Sequence, residues 1–461
     1  MSRPSSRVSA TGALRGAAVV ACAGALIAWV AAVVAAPAPQ QQPSEVGVVI
    51  RGDAGRPPRY AVPDFTALTP GAADIGRLIG QVLWDDLAFE REFDLIPRDA
   101  SATVRAASTA EAVPFAAWRE LGADAVVFGT VRQAGGTIIV QVRLLDVRTQ
   151  RTGYSRQYEG SSNPRTYAHT IADEIHMAQR GLRGVARTKI AFVSDRDGEQ
   201  MVGTVETRTA KEIYLSDYDG AEQFRLTQAR RLSGFPTWSP DGRMLAYSMW
   251  NPIPQIFLSR LYEGKIEPFT TQATTNYLPA FSPDGRRVAF MSGRDGNTEI
   301  YVQNVDGTGL RRLTNHPADD ATPTWSPSGT EIAFTSTRAG RPQLYVMNAA
   351  DGSNVRRLAI DEVEADRATW SPAPYNEIAY AGRTAPGRYD IKVLEVATGR
   401  VRQITSGEGS NESPVFSPTG RHLAFTSTRA GGQQIFTIGR DGNGLRQITR
   451  QGRNTTAAWS N

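Results

Sequence analysis

Few residues in this 461-residue sequence could do chemistry, and their spacing argues against most of it. Its four histidines are His169, His176, His316 and His422. His169 and His176 are seven residues apart, two turns of a helix, so they can share a face. A metal site would need a third ligand, which the surrounding sequence does not supply, so they read as ordinary surface or interface histidines. Asp195-Arg196-Asp197-Gly198 and Asp217-Tyr218-Asp219-Gly220 resemble calcium loops in composition. Both sit at hairpin positions and lack the closing glutamate of a calcium-binding loop, which favours turn chemistry. There is no Gly-x-Ser-x-Gly nucleophile elbow, phosphate loop or dinucleotide fingerprint. The expectation is a chain with no catalytic residues, no cofactor, no metal and no small-molecule substrate.

What the sequence repeats is structural. Aromatic anchors recur at Trp238, Phe281, Trp325, Trp370, Phe416 and Trp459, at steps of 43, 44, 45, 46 and 43 residues. A step of about 40–45 residues is the length of a β-propeller blade, four short strands in a meander. Most anchors open a Ser-Pro-Asp-Gly type of turn. A strand such as Ile332-Ala333-Phe334 follows, then one such as Leu344-Tyr345-Val346, then a fourth ending near Leu313-Thr314 or Ile448-Thr449. Each strand type occurs six times, but out of phase: the series starts on a second-type strand at Ile190 and ends on a first-type strand at Trp459. If the last strand completes the first blade, the ring closes and two sheet edges disappear. Residues 189–461 are therefore expected to form a six-bladed propeller latched by the C-terminal strand.

The segments preceding the inner strands vary from blade to blade, and in this architecture they converge on one mouth of the central channel. They include Phe235, then Thr275, Asn276, Tyr277 and Leu278, then Asp320 and Ala321, then Asp366, then Glu412. Aromatics and carboxylates on one rim suit a protein or peptide ligand with basic and amide groups. These nine residues are the candidate partner-binding set.

Composition narrows the setting. Apolar content of 41% is ordinary for globular structure. The net charge is +5, and only four of the 51 basic residues are lysine. Arg3, Arg7 and Arg15 lie in the leader, and dispersed arginine at a near-neutral balance gives no reason to expect nucleic acid. Residues 1–36 have a basic start, an apolar run from Gly16 to Ala36 and a small-residue close, the order of a secretory signal peptide. The run is also long enough for an uncleaved anchor. With Cys22 in the leader, the remaining chain has no disulfide. Residues 37–44 read as a flexible arm. Residues 45–180 read as an α/β domain: strands at 45–50, 60–65, 93–96, 125–131, 137–146 and 154–158, an amphipathic helix from Ala73 carrying Ile75, Leu78, Ile79, Val82, Leu83 and Leu87 inward, a short helix at 114–121, and a helix opened by Asn163-Pro164. Residues 181–188 read as a linker.

Ala61-Val62-Pro63-Asp64-Phe65, Leu121-Gly122-Ala123-Asp124, Val142 to Val147 and Ala168-His169-Thr170-Ile171-Ala172-Asp173-Glu174-Ile175, followed by six Trp/Phe-Ser-Pro blades, resemble the TolB family of the Tol–Pal envelope system. The resemblance implies a monomeric, non-enzymatic periplasmic adaptor. Its propeller mouth would bind Pal, the peptidoglycan-associated outer-membrane lipoprotein, and its N-terminal region would bind the inner-membrane protein TolA. The role implied is outer-membrane integrity and constriction at cell division. The family's partner-binding loops fall on Thr275, Leu278 and Ala321, with threonine at 275 where the family often has histidine. Two other classes stay open: a propeller-fronted periplasmic hydrolase or lyase remnant, which would need an added hydrolase domain or a histidine–carboxylate cluster at the rim, and a glycan-binding wall protein.

Overall fold

The computed structural model describes residues 48–52, 55–202, 208–272, 274–358 and 362–461. The leader and arm expected at 1–44 lie outside these residues, as does the start of the strand expected at 45–50. Val48–Ile50 is not a strand: it is held by single hydrogen bonds, Val48 N to Thr152 O at 3.3 Å and Ile50 N to Gln179 Oε1 at 2.8 Å. None of the helices among the described residues is long and apolar enough to cross a membrane.

The first layer is a mixed sheet built from β1 (Arg59–Ala61), β2 (Thr66–Ala67), β3 (Asp94–Leu95), β4 (Ala125–Ala134), β5 (Thr137–Asp146) and β6 (Thr152–Gly160). Its order is β3-β1-β4-β5-β6, with β2 also on β4; β1 runs parallel to β3 and β4, and β4, β5 and β6 are antiparallel. Gly135 and Gly136, at φ 58° and 86°, form the two-residue turn between β4 and β5, a backbone that side chains would strain. The helices are α1 (Ala73–Glu90), α2 (Arg98–Ala102), α3 (Phe115–Glu120) and α4 (Pro164–Arg180). Asn163 caps α4 by accepting from Arg165 N at 3.0 Å, and Gly181 ends it at φ 65°.

The buried stripe of α1 is Ile79, Val82, Leu83, Asp86, Leu87 and Glu90. Leu78, expected inward, is exposed. The stripe includes two acidic residues that α1 presents to the propeller, Asp86 to Tyr218 and Glu90 to Arg421, contacts no apolar periodicity reveals.

Six four-stranded sheets follow. Their inner strands are Ser233–Trp238, Asn276–Phe281, Asp320–Trp325, Ala365–Trp370, Asn411–Phe416 and Asn454–Trp459. The last pairs antiparallel with Lys189–Ser194, joining Trp459 to Ile190, so the C-terminal strand completes the first blade. The closure expected from the offset count of strands is what the chain adopts.

Recurring polar joints lock the blades together. After the fourth strand a threonine hydroxyl accepts a backbone N–H near the start of the third strand: Thr270 from Ile256, Thr405 from Ile391 and Thr449 from Ile435, each at 2.9 Å. The same hydroxyl donates to the side chain one residue earlier, Gln255, Asp390 or Gln434. An asparagine opening the next blade, Asn276, Asn411 or Asn454, donates to that same group. An arginine following the second strand then grips the asparagine oxygen, as Arg294, Arg429 and Arg196 do. Each arginine also lies over aromatic rings, as Arg294 lies 4.5 Å from the Tyr301 centroid.

Candidate protein-binding site at the channel mouth

Every inner strand carries a β-bulge at the same place. Register is lost between Gly234 and Thr237, Tyr277 and Ala280, Ala321 and Thr324, Asp366 and Thr369, Glu412 and Val415, and Thr455 and Ala458. In each bulge the first freed residue is left-handed: Phe235, Leu278, Thr322, Arg367, Ser413 and Thr456, all at φ between 48° and 58°. Non-glycine residues rarely adopt this region, and a bulge re-aims the side chain that occupies it. All six line a single central cavity of about 230 Å³.

In two of the bulges a hydroxyl from the preceding blade accepts the N–H of the left-handed residue. Ser248 Oγ accepts Leu278 N at 3.1 Å, and Thr426 Oγ1 accepts Thr456 N at 3.0 Å. The backbone is thus uniform around the ring while the side chains differ: one aromatic, one aliphatic, one guanidinium and three hydroxyls. The Arg367 guanidinium reaches across the channel to within 5.0 Å of the Phe235 ring centroid. Beside it Tyr277 stands edge-on between Phe235 and Trp250, each at 5.2 Å.

Of the nine residues expected at the rim, Phe235, Tyr277 and Leu278 come together in this cluster. Thr275 and Ala321 are half-buried beside it. Asp366 accepts from Thr335 Oγ1 and from Arg367 N, and Glu412 accepts from Ser410 Oγ. Asn276 and Asp320 do not reach the mouth: both are 0% exposed and belong to the joints between blades. Thr322, Arg367, Ser413, Thr456 and Trp250 were not among the nine. A signal was available for two of them, because Phe235, Leu278, Thr322 and Ser413 all precede proline three residues before the aromatic anchor.

The α/β domain sits on the other face of the disk. The up-and-down meander puts the first-to-second and third-to-fourth turns on one face and the remaining connections on the mouth. α1 and α4 contact the former. His169 lies between two carboxylates, with Nδ1 2.8 Å from Asp86 Oδ2 and Nε2 3.4 Å from Asp217 Oδ2. Burial opposes its charge, but Asp86 and Asp217 outweigh burial and push its pKa up to about 10. Asp217 also meets Arg165 and Lys189, and despite burial it is held well below the usual carboxylate range by His169 and Lys189. Tyr218 donates to Asp86 at 2.7 Å, and Arg165 pairs with Asp219. The Asp-Tyr-Asp-Gly stretch is therefore occupied by cationic side chains of this chain. Glu90 adds a second tie, accepting from Arg421 at 2.7 Å and from Val185 N at 2.9 Å. Val185 and Ala186, between α4 and the first propeller strand, are buried in the same core.

Residues 46–152 match the family described as TolB amino-terminal domain, and residues 178–386 match the TolB beta propeller domain.

Together these two stretches cover well over half of the sequence. The chain belongs to the TolB family. It is 32% identical over 260 residues to the Tol-Pal system protein TolB of Desulfosudis oleivorans, covering 55% of this chain and 57% of that one. It is 33% identical over 304 residues to the TolB of Anaeromyxobacter dehalogenans, covering 65% and 66%. The matched region thus spans somewhat less than two thirds of these relatives. The crystal structure of TolB from Acinetobacter baumannii superposes with a TM-score of 0.72 at 24% identity, over 91% of this chain and all of that one, a likeness of fold. In this TolB-family chain the bulged ring at the mouth repeats one backbone conformation six times under side chains of different chemistry.

Proposed function

We propose that this chain is a non-enzymatic periplasmic adaptor of the Tol–Pal system. Its mouth captures a Pal-like outer-membrane lipoprotein, and its N-terminal region engages a TolA-like inner-membrane protein, in support of outer-membrane integrity and constriction at division. The reading is supported first by the six left-handed bulge residues, which hold Phe235, Leu278 and Arg367 toward the channel beside Tyr277 and Trp250. A rigid aromatic and guanidinium cluster is the composition of an interface hot spot. Family membership supports the choice of these partners. The chemistry-bearing residues are otherwise engaged within the fold: His169, Asp217 and Glu90 are spent on the domain seam.

The test is direct titration of the chain with a purified Pal-like lipoprotein lacking its lipid. Saturable binding, lost when the mouth is altered, is the expected result. Binding to peptidoglycan fragments with no affinity for the lipoprotein would replace the adaptor reading with a glycan-binding one. Deleting residues 37–47 tests whether the N-terminal region and the mouth are coupled, since coupled sites alter each other's affinity reciprocally. Equal affinities with and without those residues would end that part of the proposal.

A further inference from the structure

The α/β domain contains a crevice that neither the mouth nor the seam uses. It opens beyond the carboxyl ends of β1 and β3, where an open α/β sheet leaves room for a ligand. Its volume is about 250 Å³. Val62, Val126 and Trp118 form an apolar wall, and Arg98, Ser101 and Arg105 stand on the polar side. Two buried donors there have no acceptor, Ser101 Oγ and Arg98 Nη1. Ser101 is 3% exposed. A buried donor left unmet forfeits its hydration with nothing in return, so two on one wall call for an explanation.

The other edge of the Arg98 guanidinium is fixed by Asp64, whose Oδ1 accepts from Nη2 at 2.5 Å. That pair is neutral, and Arg105 adds a cation with no carboxylate partner among the described residues. The missing component is an anionic acceptor with two oxygens, on a stem that suits valine and tryptophan. A phosphate would gain little from that wall. Through Phe128 the crevice adjoins a second groove of about 470 Å³ on the open face of β4, β5 and β6. A polypeptide could leave by that route.

We propose that this crevice binds a carboxylate on a short apolar stem, as at the free C-terminus of a peptide ending in an apolar residue. One carboxylate oxygen accepts from Arg98 Nη1 and the other from Ser101 Oγ, while the stem lies against Trp118. The site is independent of the mouth.

Calorimetric titration of the full chain with acetyl-Ala-Leu as its free acid, with the corresponding amide, and with hexanoate tests this. The acid should bind at millimolar concentrations and the amide about tenfold more weakly, because only the acid completes charge-assisted bonds. Arg105→Gln, at an exposed position, should weaken the acid several-fold. Ala106→Trp, filling the entrance from the surface, should abolish binding without moving the unfolding midpoint. Hexanoate binding as tightly as the peptide acid supports free carboxylic acids as the source; weaker hexanoate binding supports a chain terminus. Equal affinity for acid and amide, no binding of any probe, or binding that survives Ala106→Trp would overturn the proposal. So would loss of binding on Leu278→Asp, which would place the ligand at the mouth.

Discussion

The two faces of the propeller disk are built from the same strands but treat polar side chains in opposite ways. On the domain face, Asp86, His169, Asp217, Arg165, Lys189 and Tyr218 form a closed set in which each charge meets another, and Phe89 stacks on His422 at 4.2 Å. On the mouth, backbone geometry is repeated six times while the side chains it presents range from an aromatic ring and an aliphatic chain to a guanidinium and three hydroxyls. Closed polar networks fix a structure, because removing one member strands the others. An open set of re-aimed side chains on a rigid ring fixes nothing internally and is available to a partner. Substitutions should therefore divide cleanly: stability on one face, affinity on the other.

The largest effect is expected at the seam. Asp86→Ala removes the acceptor of both His169 and Tyr218 in a fully buried place. Breaking a buried pair costs about 3–5 kcal/mol. Chemical denaturation should show a loss of that size, while affinity for the Pal-like lipoprotein, measured where the variant is still folded, stays unchanged. A parallel loss of affinity would mean that the two faces are coupled.

At the mouth the pattern should invert. Leu278→Asp places a charge among Tyr277, Phe235 and the channel, and aspartate tolerates the left-handed backbone at φ 58° better than leucine does. Affinity should fall by about 2–4 kcal/mol, the range of an interface hot spot. The unfolding midpoint should not fall. Unaltered affinity would remove Leu278 from the contact surface and with it the central argument for the mouth.

The seam also sets a pH signature. The folded pKa of His169, about 10, stands above its ordinary value of 6.5. Its stabilisation is therefore complete below pH 6.5 and is lost as pH rises through 10. Burial lowers His176 and His422 to about 3, so they act on the acid side, with stability falling as pH drops from 6.5 toward 3. Unfolding midpoints should peak near mildly acidic to neutral pH. His169→Gln should flatten the alkaline limb relative to the parent chain and leave the acid limb in place. Identical alkaline slopes would show that His169 carries no charge in the seam.

How much of this was legible in the sequence follows from the same division. Blade number and closure were readable because the aromatic anchors repeat at a fixed step and the strand types are out of phase. The helices were readable from apolar spacing and from Asn163-Pro164. The seam was not, because Asp86 and Glu90 interrupt an apolar stripe as ordinary solvent-facing acids would, and only the fold brings Asp217 and Arg421 to them. At the mouth, reading outward from the anchors located the right segment but not which of its residues turn inward. That choice is made by the bulge, and Asn276 and Asp320, each two residues before its left-handed position, point into the joints instead.

Asp320 offers the smallest and sharpest test. Three joints use an asparagine here, at 276, 411 and 454, whose Nδ2 donates to a glutamine or aspartate oxygen. Between the third and fourth blades the pair is Asp320 and Glu299, two acids, and Asp320 Oδ1 and Glu299 Oε2 are both left without a partner. Burial pushes the Asp320 carboxyl up, and the charge of Glu299 adds to that. Asp320→Asn would supply the missing donor and keep an oxygen for Arg338, which now binds Oδ2 at 2.7 Å, as Arg294 and Arg429 bind their asparagines. A satisfied hydrogen bond in place of two facing acids should raise stability by about 1 kcal/mol. Partner affinity should not change, because a residue with no exposed surface cannot touch the partner. Lower stability in the variant would show that the Arg338 ion pair outweighs the acid–acid conflict, and lower affinity would return Asp320 to the mouth.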